Sequence, residues 1–205
     1  MHELITTLKA EDLPKYPKIR LLYLQTLIYN NMQIINSTME DIDEIFQLYR
    51  IATSYMASRS TVSWPEFDRN MVEHEIHENH QWKMIENNQI ICVWATTFSD
   101  PLIWGEKNED PSVYIHRIAT HPEARGRNLV VSIIDWAKKF AIAKNKKYIR
   151  LDTVGENLGL IKHYQHCGFN FLGLHKLQNT EGLPAHYENA SVSLFELPLY
   201  EELVS

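Results

Sequence analysis

The 205-residue sequence predicts a mixed α/β fold in which helices flank a central, mostly antiparallel sheet. Residues 81–98 have the pattern of two strands joined by a tight turn at an Asn-Asn pair. Residues 169–174 and 192–197 have the pattern of a closing antiparallel strand pair. Between these pairs, one helix links a strand at 113–120 to a strand at 148–153, which indicates a single crossover connection.

Charge and cysteine content narrow the class of protein. The formal net charge of −6 argues against general nucleic-acid binding. Cys92 and Cys167 are the only cysteines, and they provide neither a disulfide framework nor the spacing of a zinc site. We therefore expect a globular protein of a reducing compartment, with no nucleic-acid partner.

Residues 1–31 form an N-terminal extension to the domain that we predict for residues 32–205. Two prolines interrupt the extension, and residues 19–28 have the pattern of a short amphipathic helix. The apolar run at 19–29 is too short to span a bilayer, and the N-terminus lacks the order of a signal peptide. We expect a cytoplasmic protein that does not use a membrane as partner.

The first elements of the domain are a strand and a helix. Ser37 or Thr38 is the predicted N-cap of this helix, and acidic residues in its first turn suit the helix dipole. The predicted buried stripe consists of Ile42, Ile45, Phe46 and Tyr49. A loop at 61–68, a second helix at 67–79 and, after the hairpin, an acidic loop at 101–111 complete this half.

A strand, a basic turn and the start of a helix occupy residues 113–130. Pro122 ends the strand, and apolar residues recur at helical spacing from Leu129 onward. The intervening turn, Arg125-Gly126-Arg127-Asn128, therefore lies at a helix N-terminus, whose free N–H groups and positive dipole end suit a phosphate. Nine basic residues lie between Arg117 and Arg150 against two acidic ones, which favours a compact polyanion as ligand.

Two motifs resemble those of the GNAT superfamily of CoA-dependent N-acetyltransferases. Residues 120–130 resemble motif A, written R/Q-x-x-G-x-G/A, with Arg125 at its first position. Asn128 and Val130 replace the two small residues; Asn tolerates positive φ, whereas Val adds bulk where a diphosphate would approach the backbone. The second motif, N-x-x-x-x-x-x-Y-x-x-x-G-F, is matched without a gap by Asn157, Tyr164, Gly168 and Phe169.

The resemblance implies a GNAT-like splayed sheet and acetyl-CoA as cosubstrate, without a metal. The cofactor-binding residues that it implies are Ile118, Ala119, Thr120, Arg125, Gly126, Arg127, Asn128, Leu129, Val130 and Asn157. It also implies that Tyr164 protonates the departing thiolate and that a bulge in the 113–120 strand holds the thioester carbonyl. Trp64 and its neighbours are expected to shape acceptor specificity, because this region borders the acceptor site in many family members.

His116 is the predicted general base. An imidazole accepts a proton near neutral pH, and strand alternation would place His116 on the same face as Tyr114, Ile118 and Thr120. Many relatives use a Glu on this strand, and this sequence has none there. Deprotonation through ordered water is the alternative.

The predicted function is transfer of an acetyl group from acetyl-CoA to a primary amine of a small molecule or peptide, by direct attack and without a covalent enzyme intermediate. The alternative is a non-catalytic acyl-CoA-binding or regulatory domain, which Asn128 and Val130 favour. A metal-dependent hydrolase built on His74, His77 and His80 is disfavoured, since the third histidine would rotate off the helix face shared by the first two. Assembly as a homodimer is left open.

Overall fold

One seven-stranded sheet organises the part of the chain described by the computed structural model, residues 32–59, 62 and 64–199. The strands are β1 (Met32–Asn36), β2 (Gln81–Glu86), β3 (Gln89–Thr97), β4 (Ser112–Thr120), β5 (Tyr148–Val154), β6 (Asn170–Lys176) and β7 (Ser191–Pro198). Their order is β1-β2-β3-β4-β5-β7-β6, and every neighbouring pair is antiparallel except β4 and β5. The predicted fold class is confirmed, while the helix predicted at 19–28 lies outside the described residues.

Five α-helices cover the two faces of the sheet within these residues. They are α1 (Ile42–Ser58), α2 (Arg69–His77), α3 (Pro101–Trp104), α4 (Leu129–Ala143) and α5 (Leu158–His166). Alternating side chains of β4 divide the core: Ile115 belongs to the main cluster with α4 and α5, whereas Ala119 packs with α1 and α2. Tyr114, also on the second face, packs with α3. No helix among the described residues is long and apolar enough to cross a membrane.

Local sequence explains the elements that were predicted well. Asn87 and Asn88 have φ values of +51° and +63°, which a type I′ hairpin turn requires and Asn tolerates. Thr38 caps the turn that leads into α1, where its side chain and backbone N–H both bond the Asp41 carboxylate. Two buried positions of the predicted stripe, Ile45 and Tyr49, anchor α1 to the sheet.

Two segments differ from their predictions. The helix predicted at 67–79 begins only at Arg69, because Asp68 caps it by accepting a hydrogen bond from a backbone N–H of the first turn. The acidic loop predicted at 101–111 contains α3 and a 3-10 turn. This segment folds over the fully buried Arg150 guanidinium, which donates to the Lys107 carbonyl and the Asp110 carboxylate. A buried cation that needs acceptors thereby orders an otherwise polar loop.

The parallel pair at the centre of the sheet is short. β4 and β5 pair only where Ser112 to Tyr114 face Tyr148 to Arg150, and beyond this point the strands have no further paired residues. β5 remains paired along its whole length with β7, and β4 continues along β3 as far as Thr120. The sheet is therefore splayed between β4 and β5, and it leaves a cleft whose walls are strand edges without partners.

Candidate active site

A β-bulge interrupts β4 at the wall of this cleft. Arg117 and Ile118 together oppose the single residue Trp94 of β3, and Arg117 has a φ of +53°. The extra residue shifts the alternation, so that Ile118 packs against the main core on the face of Ile115. The prediction that His116 shares a face with Ile118 and Thr120 is therefore wrong, because a regular period of two does not continue through a bulge.

An ion pair holds Arg117 in this conformation. Its guanidinium lies 2.5 Å from both carboxylate oxygens of Glu75 on α2 and donates to the Tyr49 hydroxyl of α1 at 3.4 Å. A left-handed conformation costs a non-glycine residue roughly 1–2 kcal/mol, and a charge-assisted contact of one guanidinium nitrogen with both carboxylate oxygens offsets that cost. The shape of the bulge is thus tied to the two helices on one face of the sheet.

The basic turn before α4 has the geometry of an anion site. Gly126 and Asn128 have φ values of +76° and +56°, and Asn128 occupies the N-cap without using its side chain to cap the helix. Within the described residues, the backbone N–H groups of Leu129 and Val130 have no acceptor. The Val130 side chain packs against the main core. Free N–H groups at the positive end of a helix dipole fit a phosphate group.

The two arginines of the turn have different environments. Arg125 lies over the Tyr55 ring, with its guanidinium carbon 4.2 Å from the ring centroid, and lines a groove of about 430 Å³ beside α1. Arg127 forms a bidentate ion pair with Glu86, with contacts of 2.6 and 2.8 Å. This pairing lowers the pKa of Glu86 and compensates the charge of Arg127. Of the two arginines, Arg125 is therefore the one whose positive charge remains available to a phosphate.

Tyr164 lies on α5 with its ring packed against Phe169 and Phe195. The residue is 8% exposed, and its hydroxyl has no hydrogen-bond partner among the described residues. Burial raises the pKa of the phenol above its ordinary value, which keeps the proton on the oxygen. Asn157 is the N-cap of α5, and its side-chain oxygen accepts from two backbone N–H groups at 3.1 Å. Only the Asn157 amino group remains to contact a ligand.

The sequence did not indicate the cluster formed by Asp100, His116 and Asp152, which we call the Asp–His–Asp cluster. One ligand atom from each residue lies within 4.8 Å of the others, and His116 Nε2 lies 3.8 Å from Asp100 Oδ2. Asp100 Oδ2 is buried and has no hydrogen-bond partner among the described residues. Asp152 accepts a 2.8 Å hydrogen bond from the Tyr187 hydroxyl. The three residues come from segments far apart in sequence, so no local pattern reveals them.

Burial changes the proton affinities of this cluster. Burial, with the nearby Asp152 charge, raises the pKa of Asp100 to about 7, and burial raises the pKa of Asp152 to about 6. Burial, with the Arg117 charge, lowers the pKa of His116 to about 3, although 21% of its side chain is exposed. His116 is therefore neutral and weakly basic, and the carboxyl groups are the stronger bases here. Among the described residues, His74, His77 and His80 do not form such a cluster.

Comparisons with known proteins identify the family. Residues 42–169 match the model of the acetyltransferase (GNAT) family. The uncharacterized N-acetyltransferase YesJ of Bacillus subtilis (strain 168) is 24% identical over 142 residues, which cover 65% of this chain and 79% of YesJ.

Solved structures share the fold. A GNAT-family acetyltransferase of Listeria monocytogenes 4b F2365 superposes with a TM-score of 0.66 at 20% identity, over 82% of this chain and 95% of that chain. The protein yncA of Salmonella typhimurium, solved with its cofactor acetyl-CoA, superposes with a TM-score of 0.59 at 14% identity, over 85% and 98% of the two chains. Because the family model spans more than half of the sequence, the chain belongs to the acetyltransferase (GNAT) family and is an acetyl-CoA-dependent acyltransferase.

Proposed function

We propose that this protein transfers an acetyl group from acetyl-CoA to a primary amine of a small molecule or peptide, by direct attack of the amine on the thioester. The observation that carries the proposal is the cleft between β4 and β5, which has the β4 bulge on one wall and, on the other strand, Asp152, whose charge acts on Tyr164. Direct transfer requires a site for the carbonyl oxygen, a proton for the thiolate and an acceptor for the amine proton. The cleft offers candidates for all three.

The basic turn is the proposed site of the CoA diphosphate. Its support is the pair of free N–H groups at Leu129 and Val130 and the uncompensated charge of Arg125. The unpaired edge of β4 at Ile118, Ala119 and Thr120 would hold the pantetheine arm through backbone hydrogen bonds. Arg127 takes a smaller part in this proposal, because Glu86 already binds its guanidinium.

The carbonyl oxygen and the thiolate need different groups. As the carbon–nitrogen bond forms, charge develops on the carbonyl oxygen, and backbone N–H groups at the β4 bulge would stabilise it. As the carbon–sulfur bond breaks, the Tyr164 hydroxyl would supply a proton to sulfur. Its protonated state and its lack of a competing partner support this role. Overall, the ammonium group loses two protons, of which one ends on the CoA thiol and one in solvent.

The alternative of a non-catalytic acyl-CoA-binding domain rested on Asn128 and Val130. The positive φ of Asn128 provides the turn that a glycine would provide, and the Val130 side chain packs against the core. Neither replacement therefore argues against a working cofactor site. A binding domain also has no need of a proton donor for the thiolate, so the catalytic interpretation is favoured.

The test is the replacement Tyr164→Phe, which deletes the hydroxyl and keeps the ring that packs on Phe169 and Phe195. We expect turnover to fall about a hundredfold, as loss of a general acid typically costs, with acetyl-CoA affinity unchanged. Thiol release over a panel of amines measures the first quantity, and calorimetry with acetyl-CoA measures the second. Tyr148→Phe, at the paired end of β5, is the matched control. Full turnover in Tyr164→Phe would remove the proposed acid.

A further inference from the structure

We propose that the Asp–His–Asp cluster binds the ammonium group of a basic alkylamine acceptor and that its two carboxyl groups take the first proton from that ammonium. The inference rests on the proposed acetyl transfer and adds the class of amine and the identity of the proton acceptor. His116 changes from the predicted base to a neutral hydrogen-bond acceptor in this arrangement.

The spacing of the cluster suits an ammonium nitrogen. No two of the three atoms are more than 4.8 Å apart, and His116 Nε2 lies 3.8 Å from Asp100 Oδ2. A nitrogen can therefore lie within about 2.8 Å of all three atoms, which is the length of an N–H···O hydrogen bond. An alkylammonium group has three N–H donors, and the cluster presents three acceptors: one oxygen each from Asp100 and Asp152, and His116 Nε2.

The cluster contains an unmet hydrogen-bond requirement. Asp100 Oδ2 is buried without a hydrogen-bond partner, and the whole side chain is 11% exposed. An unpaired buried acceptor costs roughly 1–3 kcal/mol, more when it is charged, and a bound ammonium group would remove this cost. Asp152, by contrast, is already oriented by the Tyr187 hydroxyl. The cation Arg117, which follows His116 in the chain, is bound by Glu75 and does not neutralise the carboxyl groups.

The position of the cluster joins it to the proposed reaction centre. His116 immediately precedes the bulge residues of β4, and Asp152 lies on β5 just beyond the last β4–β5 pair. Asp152 also raises the pKa of Tyr164, after burial and Cys167, so the two groups sense each other electrostatically. A nitrogen held by the cluster would therefore lie in the cleft that contains the proposed thiol acid and the bulge.

Proton affinities favour the carboxyl pair as acceptor. An alkylammonium group has a pKa near 10.4, so an ordinary Asp would leave a gap of about six to seven pKa units. Asp100, with a pKa of about 7, reduces this gap to about three units. The nitrogen–hydrogen bond breaks, the proton passes to a carboxylate, and the freed lone pair forms the carbon–nitrogen bond. Attack breaks the carbon–sulfur bond, and the Tyr164 hydroxyl would protonate the departing thiolate. The second proton leaves the nitrogen and restores the Tyr164 hydroxyl, and the protonated carboxyl returns its own proton to solvent.

The test titrates the protein–CoA complex with n-butylamine and 1,4-diaminobutane, which are cations at neutral pH, and with aniline, which is neutral. We expect Asp152→Asn and Asp100→Asn each to weaken binding of the two cations at least tenfold and to leave aniline binding unchanged. Asp135→Asn, an exposed carboxylate on α4, is the matched control. Circular dichroism checks that each variant is folded.

Each outcome has a definite meaning. If the wild type does not bind the alkylamines, the proposed ammonium site is wrong. It is also wrong if both variants bind the alkylamines as tightly as the wild type does. A stoichiometric divalent metal that is present in the wild type and lost in Asp152→Asn would also overturn it, in favour of a metal site. Acetylation of aniline without alkylamine binding would leave the proposed function standing and refute this inference. If alkylamine binding depends on the two Asp residues but no amine releases thiol from acetyl-CoA, the ammonium site would stand and the proposed function would be refuted.

Discussion

The stability of the protein should depend on pH through Asp100, and the variant Asp100→Asn should remove that dependence. The pKa of this carboxyl is raised from 3.8 to about 7 in the folded protein, chiefly by burial. A raised pKa means that the folded state resists ionisation. The contribution of the protonated Asp100 carboxyl to the stability of the folded state is therefore fully present below about pH 4 and is lost as the pH rises through about 7.

The size of the effect follows from the two pKa values. At pH 8 the carboxyl is ionised about tenfold over its protonated form when folded, and about ten-thousandfold when unfolded, a difference of about 4 kcal/mol. At pH 5 the folded carboxyl is almost wholly protonated, whereas the unfolded one is ionised about fifteenfold over its protonated form, which gives about 2 kcal/mol. Between pH 5 and pH 8, Asp100 should therefore subtract about 2–3 kcal/mol from the free energy of unfolding.

Urea unfolding of the wild type and Asp100→Asn at pH 5, 6, 7 and 8 measures this difference. We expect the variant to gain stability relative to the wild type as the pH rises, because Asn has no charge to bury. The Asp135→Asn variant should stay parallel to the wild type, since its carboxylate is exposed. Parallel curves for Asp100→Asn would show that this carboxyl ionises as freely in the folded protein as in the unfolded chain.

Two further predictions concern ligand binding and the pH profile. Arg125→Glu should weaken acetyl-CoA binding at least tenfold, as measured by calorimetry. Arg127→Glu should weaken binding less but should lower the stability of the protein, since it places a second carboxylate beside Glu86. If Arg127→Glu weakened binding more than Arg125→Glu, the assignment of Arg125 to the phosphate would be contradicted. His116→Gln should leave the acidic limb of kcat/KM unchanged between pH 5 and 9, because a pKa of about 3 keeps His116 neutral throughout. A limb that moves with this substitution would restore His116 as the base.

Features that depend on local conformational preferences could be predicted from the sequence. The Asn87-Asn88 turn, the cap at Thr38 and the left-handed conformation of Asn128 each follow from the conformational preferences of one or two residues. The α4 crossover then forces β4 and β5 to be parallel, and the remaining strands join by antiparallel pairing. These rules were sufficient to predict the fold class and the basic turn.

Long-range partners were not predictable in the same way. Glu86 binds Arg127 across 41 residues, and Glu75 binds Arg117 across 42, so the sequence alone suggested more free positive charge than the folded chain has. The bulge in β4 depends on Trp94 of the neighbouring strand, and it reverses the predicted face of Ile118. Side-chain pairing and strand register depend on the neighbouring strands of the assembled sheet, so the sequence of one strand does not determine them.

Two local conflicts meet at the cleft between β4 and β5, and together they argue that this cleft was selected for chemistry. Arg117 adopts a left-handed conformation without being glycine, and Asp100 keeps a buried oxygen unpaired. Each conflict costs about 1–3 kcal/mol, which is a large share of a net stability of about 5–15 kcal/mol unless there is a gain elsewhere. A bound amine would relieve the second conflict and a bound thioester would use the first, so the gain lies in the reaction and its substrates.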